Sequence, residues 1–526
     1  MKANEGRARG GDILTSTAGR DTAHEHPAGL TRRIRREFED IRYAWGDQAG
    51  RMGMLGSALI LLGSFGPQTL PNDNLWRDVP VLGWFQTRAG LIAGPGIMFV
   101  GVMLLLDAWL RLRPGAPGHR PLTRGTVWLW SLPLLFAPPL LSFDAYSYAA
   151  QGELVHRGHD PYREGPGVLG DLFTAQVDNY WRDTPAPYGP LSLQLQHLIV
   201  DLTGHNAYLA AILVRIPAFV GVLLLSVYLP RLARITGYDR ETTIWLAVLN
   251  PLVLLHFVGG AHNDSLMLGL MVFGLWAAAS RHLVWGAVVV AAAASIKQPA
   301  AAAILAVAAL HAWRSKGWVM PTNRELVRPV LAAVGVFVAA FVGISLACGL
   351  GFGWITALGV PNTIRSMLSP FTLVGTGVEW VLVQLGLVAE NAVVPWFQRI
   401  GQVIGLVVTA WLIWRFKARH PVRTLGWILL VLVFTGPVVH PWYVLWGGLF
   451  FAMTESGLRA RRIAVWATVG LVIYSVVDAS TRNYPISVSV GVLASLALVW
   501  ITSGHDRTLA PNRVPGRRRA ERGTSS

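Results

Sequence analysis

The 526-residue chain has one cysteine, few charges and no visible nucleotide-binding loop, and each shortage removes a class of function. Cys348 lies inside an apolar run, which excludes an intramolecular disulfide and any multi-cysteine metal site. Charged residues make up 14% of the chain, where a soluble globular domain carries about 25%. No internal repeat or inverted symmetry is visible, so a transporter built from paired halves lacks its usual signature. The first fifty residues are polar and do not match a signal peptide, whose charged n-region is short.

What remains is mostly apolar: 53% of residues are hydrophobic and the mean hydropathy is +0.44. Runs near the roughly 20 apolar residues that a spanning helix needs recur along the chain, which predicts an all-α polytopic membrane protein. The 22 tryptophans suit aromatic anchoring at both membrane interfaces. A net charge of +16 raises the question of nucleic acid, but the basic residues come in short bursts between apolar runs. That is how cytoplasmic loops look under the positive-inside bias, so no nucleic-acid partner is expected.

Alternating basic bursts with apolar runs predicts a multi-pass membrane chain with about fourteen crossings and both termini inside. Residues 1–50 form a partly disordered cytoplasmic extension, 51–503 the membrane domain and 504–526 a basic cytoplasmic tail. Within the extension, Ile34, Phe38 and Ile41 make one apolar stripe with arginines on its flanks. It reads either as a helix lying on the inner leaflet or as a solvated lead-in. Two polar excursions, 142–205 and 352–396, fall on the outer side. So do the clusters at His262–Asp264, Lys297 and His440, all on the face opposite the basic loops.

The 142–205 excursion holds carboxylates, histidines, arginines and tyrosines between two apolar blocks. Asp144, Tyr148 and Gln151 share a helical stripe at i, i+4 and i+7. Asp144 either caps a helix start or serves as a general base for a hydroxyl nucleophile. Glu153, Asp160 and Asp183 are further carboxylates there; Glu153, like Gln151, is a candidate for substrate binding, and solvation is the plain reading for most of the three. His262, Asn263 and Asp264 open an apolar run; Asp264 caps it, orients a substrate or shares an ion with Asp144. Lys297 either snorkels to the surface or serves the site. Arg215 interrupts an apolar run, where a lipid-facing charge costs at least about 2.5 kcal/mol, so it needs an interior carboxylate or a bound phosphate. His440, before Pro441-Trp442-Tyr443, is an interface residue or a donor to phosphate. None of these spacings is a metal signature. Together they describe a cationic, hydrogen-bonding pocket that contains an acid.

The segments FDAYSYAAQGELVHRGHDPY, APYGP, LNPLVLLHFVGGAHND, SIKQP and HPWY, in that order, resemble the bacterial polyprenol-phosphomannose-dependent α-(1→6)-mannopyranosyltransferases, over most of residues 50–500. The resemblance implies a GT-C type transmembrane helix bundle with interfacial helices on its outer face. It implies a polyprenyl-phosphate mannose donor, a lipid-anchored mannan acceptor of the lipomannan and lipoarabinomannan class, and surrounding membrane lipids. Asp144 then matches the catalytic aspartate of the first large outer loop, although three expected spans precede it where one is common in related families. Arg215, Lys297, His440 and Arg365 would stabilise the leaving phosphate, while Tyr148, Tyr188 and Trp442 would stack on sugar faces or simply anchor at the interface. No nucleotide or other cofactor is implied, and a divalent metal is left open. The competing readings are a transporter or lipid flippase, and a GT-C enzyme for arabinose or glucose.

Overall fold

A computed structural model describes residues 27–481, apart from short stretches at 67–69, 72–73, 117–119, 417–419 and 455–456. The expected span near 486–502, the basic tail and residues 1–26 lie outside the described residues. The described residues form 22 α-helices with short 3-10 and π-type segments and no strand. Five helices are long and apolar enough to cross a membrane: Arg88–Arg111, Ala207–Thr236, Asn323–Ala347, Val394–Arg415 and Leu458–Ser480. Arg240–Val248 with Val253–Gly259 makes a sixth if counted as one span bent by 59°. Other apolar runs form shorter helices, among them Asp264–Ala279, Leu283–Ile296 and Pro421–Thr435. By length alone, then, fewer helices cross outright than the basic bursts suggested.

The bend has a local cause. Pro251 cannot donate to the preceding turn, and Asn250 takes over the end of the ladder. Its Oδ1 accepts from Leu252 N at 2.9 Å, while its Nδ2 donates to Leu246 O and to Thr468 Oγ1, both at 3.0 Å. Wide π-type turns flank the break on both sides, the kind of irregularity that collects at functional sites. Deeper in the core, Trp109 and Trp245 stack at 5.0 Å. Each indole N–H donates to the other's carbonyl, at 2.8 and 2.7 Å, so neither buried donor is left unpaired.

The stripe of Ile34, Phe38 and Ile41 belongs to a longer helix, Pro27–Trp45. It docks on Arg124–Leu135: Glu37 pairs with Arg124 and accepts from Trp128 Nε1 at 2.9 Å. Ile41 packs against the core, while Ile34 and Phe38 stay exposed.

Arg124–Leu135 ends early because Pro138 and Pro139 cannot continue it, and 136–143 runs on as irregular chain. Arg215 satisfies the carbonyls released there. It donates to Leu135 O at 2.7 Å, Pro138 O at 3.4 Å and Gly259 O at 2.8 Å. The next helix, Asp144–His156, crosses Pro190–Leu202 in backbone contact at Gly152, where a Cβ would come within 2.5 Å of Gln196 O.

Candidate active site

Asp144 is the first residue of its helix, but its carboxylate is not the cap. Phe143 holds the cap position, and Ser142 Oγ accepts the Asp144 N–H at 3.1 Å. The Asp144 side chain is 18% exposed, and its Oδ2 lies 3.3 Å from Nδ1 of fully buried His262, off the line of a well-formed hydrogen bond. Two strained residues frame this contact: Leu141 at φ 62° and Ala261 at φ 57°. A left-handed conformation costs a non-glycine residue about 1–2 kcal/mol, and such strain persists where surrounding structure fixes it. Behind the pair, Trp442 is sandwiched between imidazoles, 3.7 Å from the His262 ring and 4.5 Å from that of His440. Burial pushes the Asp144 carboxyl up, but His262 first and then the Ser142 hydroxyl outweigh it and hold the group well below the usual carboxylate range. Burial drives the His440 imidazole down to about 4, so near neutral pH it is an uncharged ring.

Two cavities meet at Asp144. The larger, about 560 Å³, is lined by Asp144, Asp178, Tyr180, Trp181, Arg365, His440, Trp442 and Asp478 among others. The second, about 350 Å³, is lined by Asp144, Tyr188, Lys297, Tyr443 and Trp446, with aliphatic walls from Leu358, Leu432, Val433 and Val438. Asp144, Trp181, Ile364 and His440 are common to both.

Each cavity holds a cation tied to a carboxylate. Lys297 sits at an extended break between Leu283–Ile296 and Gln298–Ala303. Gly189 packs on that helix end, accepting no side chain because a Cβ would meet Ser295 O at 2.2 Å. Lys297 Nζ donates to both oxygens of Asp264 at 3.0 Å and to Tyr443 Oη at 3.3 Å. Asp264 also accepts from Trp446 Nε1 at 2.7 Å, so it serves the lysine and is not a helix cap. On the other side, Arg365 pairs with Glu379 and donates to Asn391 Oδ1 at 2.7 Å. Glu379 in turn accepts from the backbone of Val393 and Val394.

Of the residues singled out in the sequence, Asp144, Tyr188, Lys297, Arg365, His440 and Trp442 line these cavities. His262 and Asp264 stand behind Asp144 and Lys297. Tyr148 and Asn263 line a separate void of about 20 Å³; Tyr148 sets its ring edge-on to Tyr188 at 5.4 Å, and Asn263 Nδ2 donates to Ser192 Oγ at 3.2 Å. Gln151 is buried along the same helix, whereas Glu153 binds Arg157 and His205. Arg215 Nη1 and Nη2 donate to backbone carbonyls rather than to a carboxylate, while its buried Nε has no hydrogen-bond partner among the described residues. Sequence reasoning passed over Asp178, Tyr180, Trp181, Tyr443, Trp446 and Asp478. Asp478 carried a signal, a carboxylate interrupting an apolar run.

Residues 50–313 match the family described as the N-terminal domain of α-(1→6)-mannopyranosyltransferases, and residues 371–503 match a family described as the MptB C-terminal domain. A probable α-(1→6)-mannopyranosyltransferase of Mycolicibacterium smegmatis is 37% identical over 411 residues, covering 70% of this chain and 73% of that protein. The α-(1→6)-mannopyranosyltransferase A of Mycobacterium tuberculosis is 32% identical, over 84% of this chain and 86% of that protein. The chain belongs to the α-(1→6)-mannopyranosyltransferase family. A further member, α-(1→6)-mannopyranosyltransferase B of Corynebacterium glutamicum, is 31% identical over 83% of this chain and 76% of its own length. The two family matches take in Asp144, Lys297 and His440, so this mannopyranosyltransferase's cavity residues lie mostly within them. Arg365 lies in the interval between the two matches.

Proposed function

We propose that the chain transfers mannose from polyprenyl-phosphate mannose to the 6-hydroxyl of a lipid-anchored mannan, on the outer face of the plasma membrane. The observation that carries this reading is the position of Asp144, one carboxylate on the common wall of two cavities. The donor takes the cavity with the aliphatic walls, its phosphate near the positive charge of Lys297. The acceptor glycan takes the larger cavity, where Tyr180, Trp181 and Arg365 offer aromatic faces and hydrogen bonds.

The acceptor oxygen then attacks the anomeric carbon and forms the new C–O bond. The bond to phosphate breaks on the opposite side, the hydroxyl proton passes to the Asp144 carboxylate, and the polyprenyl phosphate leaves. A single displacement converts a β-linked donor to an α product. The depressed Asp144 keeps its carboxylate ionised at neutral pH, ready to accept a proton as the attacking oxygen becomes acidic. Lys297 stabilises charge as it develops on the departing phosphate oxygen. Arg215, the mid-run charge that favoured a transporter, has a structural occupation instead.

The test uses membranes containing the chain, labelled polyprenyl-phosphate mannose and a short α-(1→6)-mannoside. Wild-type protein is expected to extend the mannoside and Asp144→Asn to lose about 10²–10⁴-fold in rate, the usual worth of a positioned base. Undiminished transfer by Asp144→Asn would remove the base, and transfer of another sugar in place of mannose would change the donor.

A further inference from the structure

The helix that begins at Asp144 ends at His156, and a second cluster of titratable groups gathers there. His156 Nδ1 lies 3.0 Å from Asp201 Oδ1, and His197 Nε2 lies 3.4 Å from Asp201 Oδ2. One donor atom from each of the three residues falls within 4.8 Å of the others, the one such group among the described residues. His197 and Asp201 stand four residues apart on Pro190–Leu202, so they share a face of that helix, and His156 reaches them from the neighbouring one.

The hydrogen bonds around His197 fix which nitrogen points at Asp201. Gln194 Nε2 donates to Cys348 O at 2.6 Å, which turns Gln194 Oε1 toward His197. His197 Nδ1 lies 3.1 Å from that oxygen and must therefore be the N–H donor. In the neutral ring Nε2 is then a bare lone pair aimed at a carboxylate oxygen. Two acceptors facing each other need a cation between them. A neutral imidazole with its second nitrogen held by a hydrogen bond is the form in which histidine binds metals.

We propose that His156, His197 and Asp201 form a binding site for a divalent transition metal of the zinc type, with water completing a tetrahedron. Two imidazoles and a carboxylate are a borderline donor set that suits zinc over calcium or magnesium. Ligand atoms about 2.0–2.1 Å from a tetrahedral ion stand about 3.3 Å apart. His156 lies 3.0 Å from Asp201 Oδ1 and His197 3.4 Å from Oδ2, and with one ligand atom from each residue already within 4.8 Å of the others, small side-chain rotations bring the three to that spacing. The side chains are 27–44% exposed, so an ion reaches them from solvent.

The site is structural. Twelve residues of helix put His156 about 18 Å from Asp144, too far to touch the reacting atoms. Its effect is to pin the end of the Asp144 helix to Pro190–Leu202, across the crossing that Gly152 makes tight. His205, whose ring packs on His156 at 4.0 Å and whose Nδ1 meets Glu153, braces the same end.

The test is metal content and thermal unfolding of full-length protein purified in detergent without a polyhistidine tag, after exposure to Zn²⁺ and desalting. Wild type and Asp144→Asn are expected to retain about one zinc per chain, and His156→Ala and His197→Gln to fall to background. EDTA is expected to lower the unfolding midpoint of the wild type, with Zn²⁺ restoring it, and to leave both histidine variants unmoved. Co²⁺ in place of zinc should give the visible absorption of a tetrahedral ion in the wild type and in Asp144→Asn, and in neither histidine variant. Three outcomes overturn the proposal: wild type without zinc, occupancy unchanged in both variants, or a midpoint that ignores EDTA yet shifts as these histidines titrate. The last would make the bridging cation a proton. None of these readouts depends on mannosyl transfer.

Discussion

The two cavities that meet at Asp144 hold their cations in opposite ways. Lys297 and Asp264 are almost enclosed, with side chains 10% and 1% exposed, and the ammonium sits 4.6 Å from the Tyr443 ring, 5.3 Å from Trp446 and 5.6 Å from Tyr188. All three ammonium protons have acceptors. Arg365 is 39% exposed and reaches its buried partner Glu379 from the cavity rim. A boxed lysine is a fixed point charge, which suits one phosphate arriving in one place. A rim arginine keeps its planar fork in solvent and adapts to a glycan of varying length. In the proposed reading, the difference separates the cavity that positions a leaving group from the one that admits a growing chain.

The largest expected effect falls on the wall common to both. Asp144→Asn keeps the shape and removes the charge, so turnover should drop about 10²–10⁴-fold while KM for donor and acceptor changes little. A variant that instead raised one KM with kcat intact would assign Asp144 to that cavity alone.

Next in size is Lys297→Met. It leaves Asp264 charged and buried beside Trp446, and breaking a buried pair from one side costs about 3–5 kcal/mol. The unfolding midpoint should fall sharply. Adding Asp264→Asn should recover much of that stability without recovering turnover, because the positive charge is still missing. Recovery of turnover in the double variant would mean that the pair is only a packing element, and the contrast between the cavities would collapse.

Arg365→Lys is the smaller, rim-side counterpart. Lysine keeps a positive charge beside Glu379, which also accepts from the backbone of Val393 and Val394, so the midpoint should hardly move. Loss of the planar fork should raise KM for the acceptor several-fold and leave KM for the donor alone. A rise in donor KM instead would exchange the occupants of the two cavities.

How much of this was legible in the sequence differs by element. The convergence of Asp144, His262–Asp264, Lys297, Arg365 and His440 followed from where polar residues interrupt apolar runs, and the fold brings those turns together around two connected spaces. The partners were harder to read. Asp264 belongs to Lys297 and His262 to Asp144, pairings across 33 and 118 positions that only packing sets. Trp181 gave no signal of its own, since one tryptophan in a polar loop reads equally well as an interface anchor. Arg215 misled for a different reason. A charge inside an apolar run demands a partner, but here the partners are backbone carbonyls, two freed where Pro138 and Pro139 unwind the chain and one at Gly259, and backbone has no letter in the sequence. The two prolines were the available clue.

The finest distinction between the cavities rests on His440, which borders both. Its imidazole is depressed to about 4 from an ordinary value near 6.5, by burial first and then by Lys297 and His262, while Asp144 and Asp264 pull the other way. Between those values the unfolded chain binds a proton that the fold excludes, so stability rises with pH over that window. The contribution is fully present above about 6.5 and is lost as the pH falls toward 4. Acidifying the wild type from pH 7 to pH 5 should therefore lower the unfolding midpoint, and His440→Gln should flatten that part of the slope. If the slope survives the substitution, the excluded proton belongs to another group, and His440 does not join the two cavities electrostatically. If it vanishes, the neutral ring next to Asp144 is a donor or acceptor without charge, and Lys297 remains the cation proposed to face the phosphate.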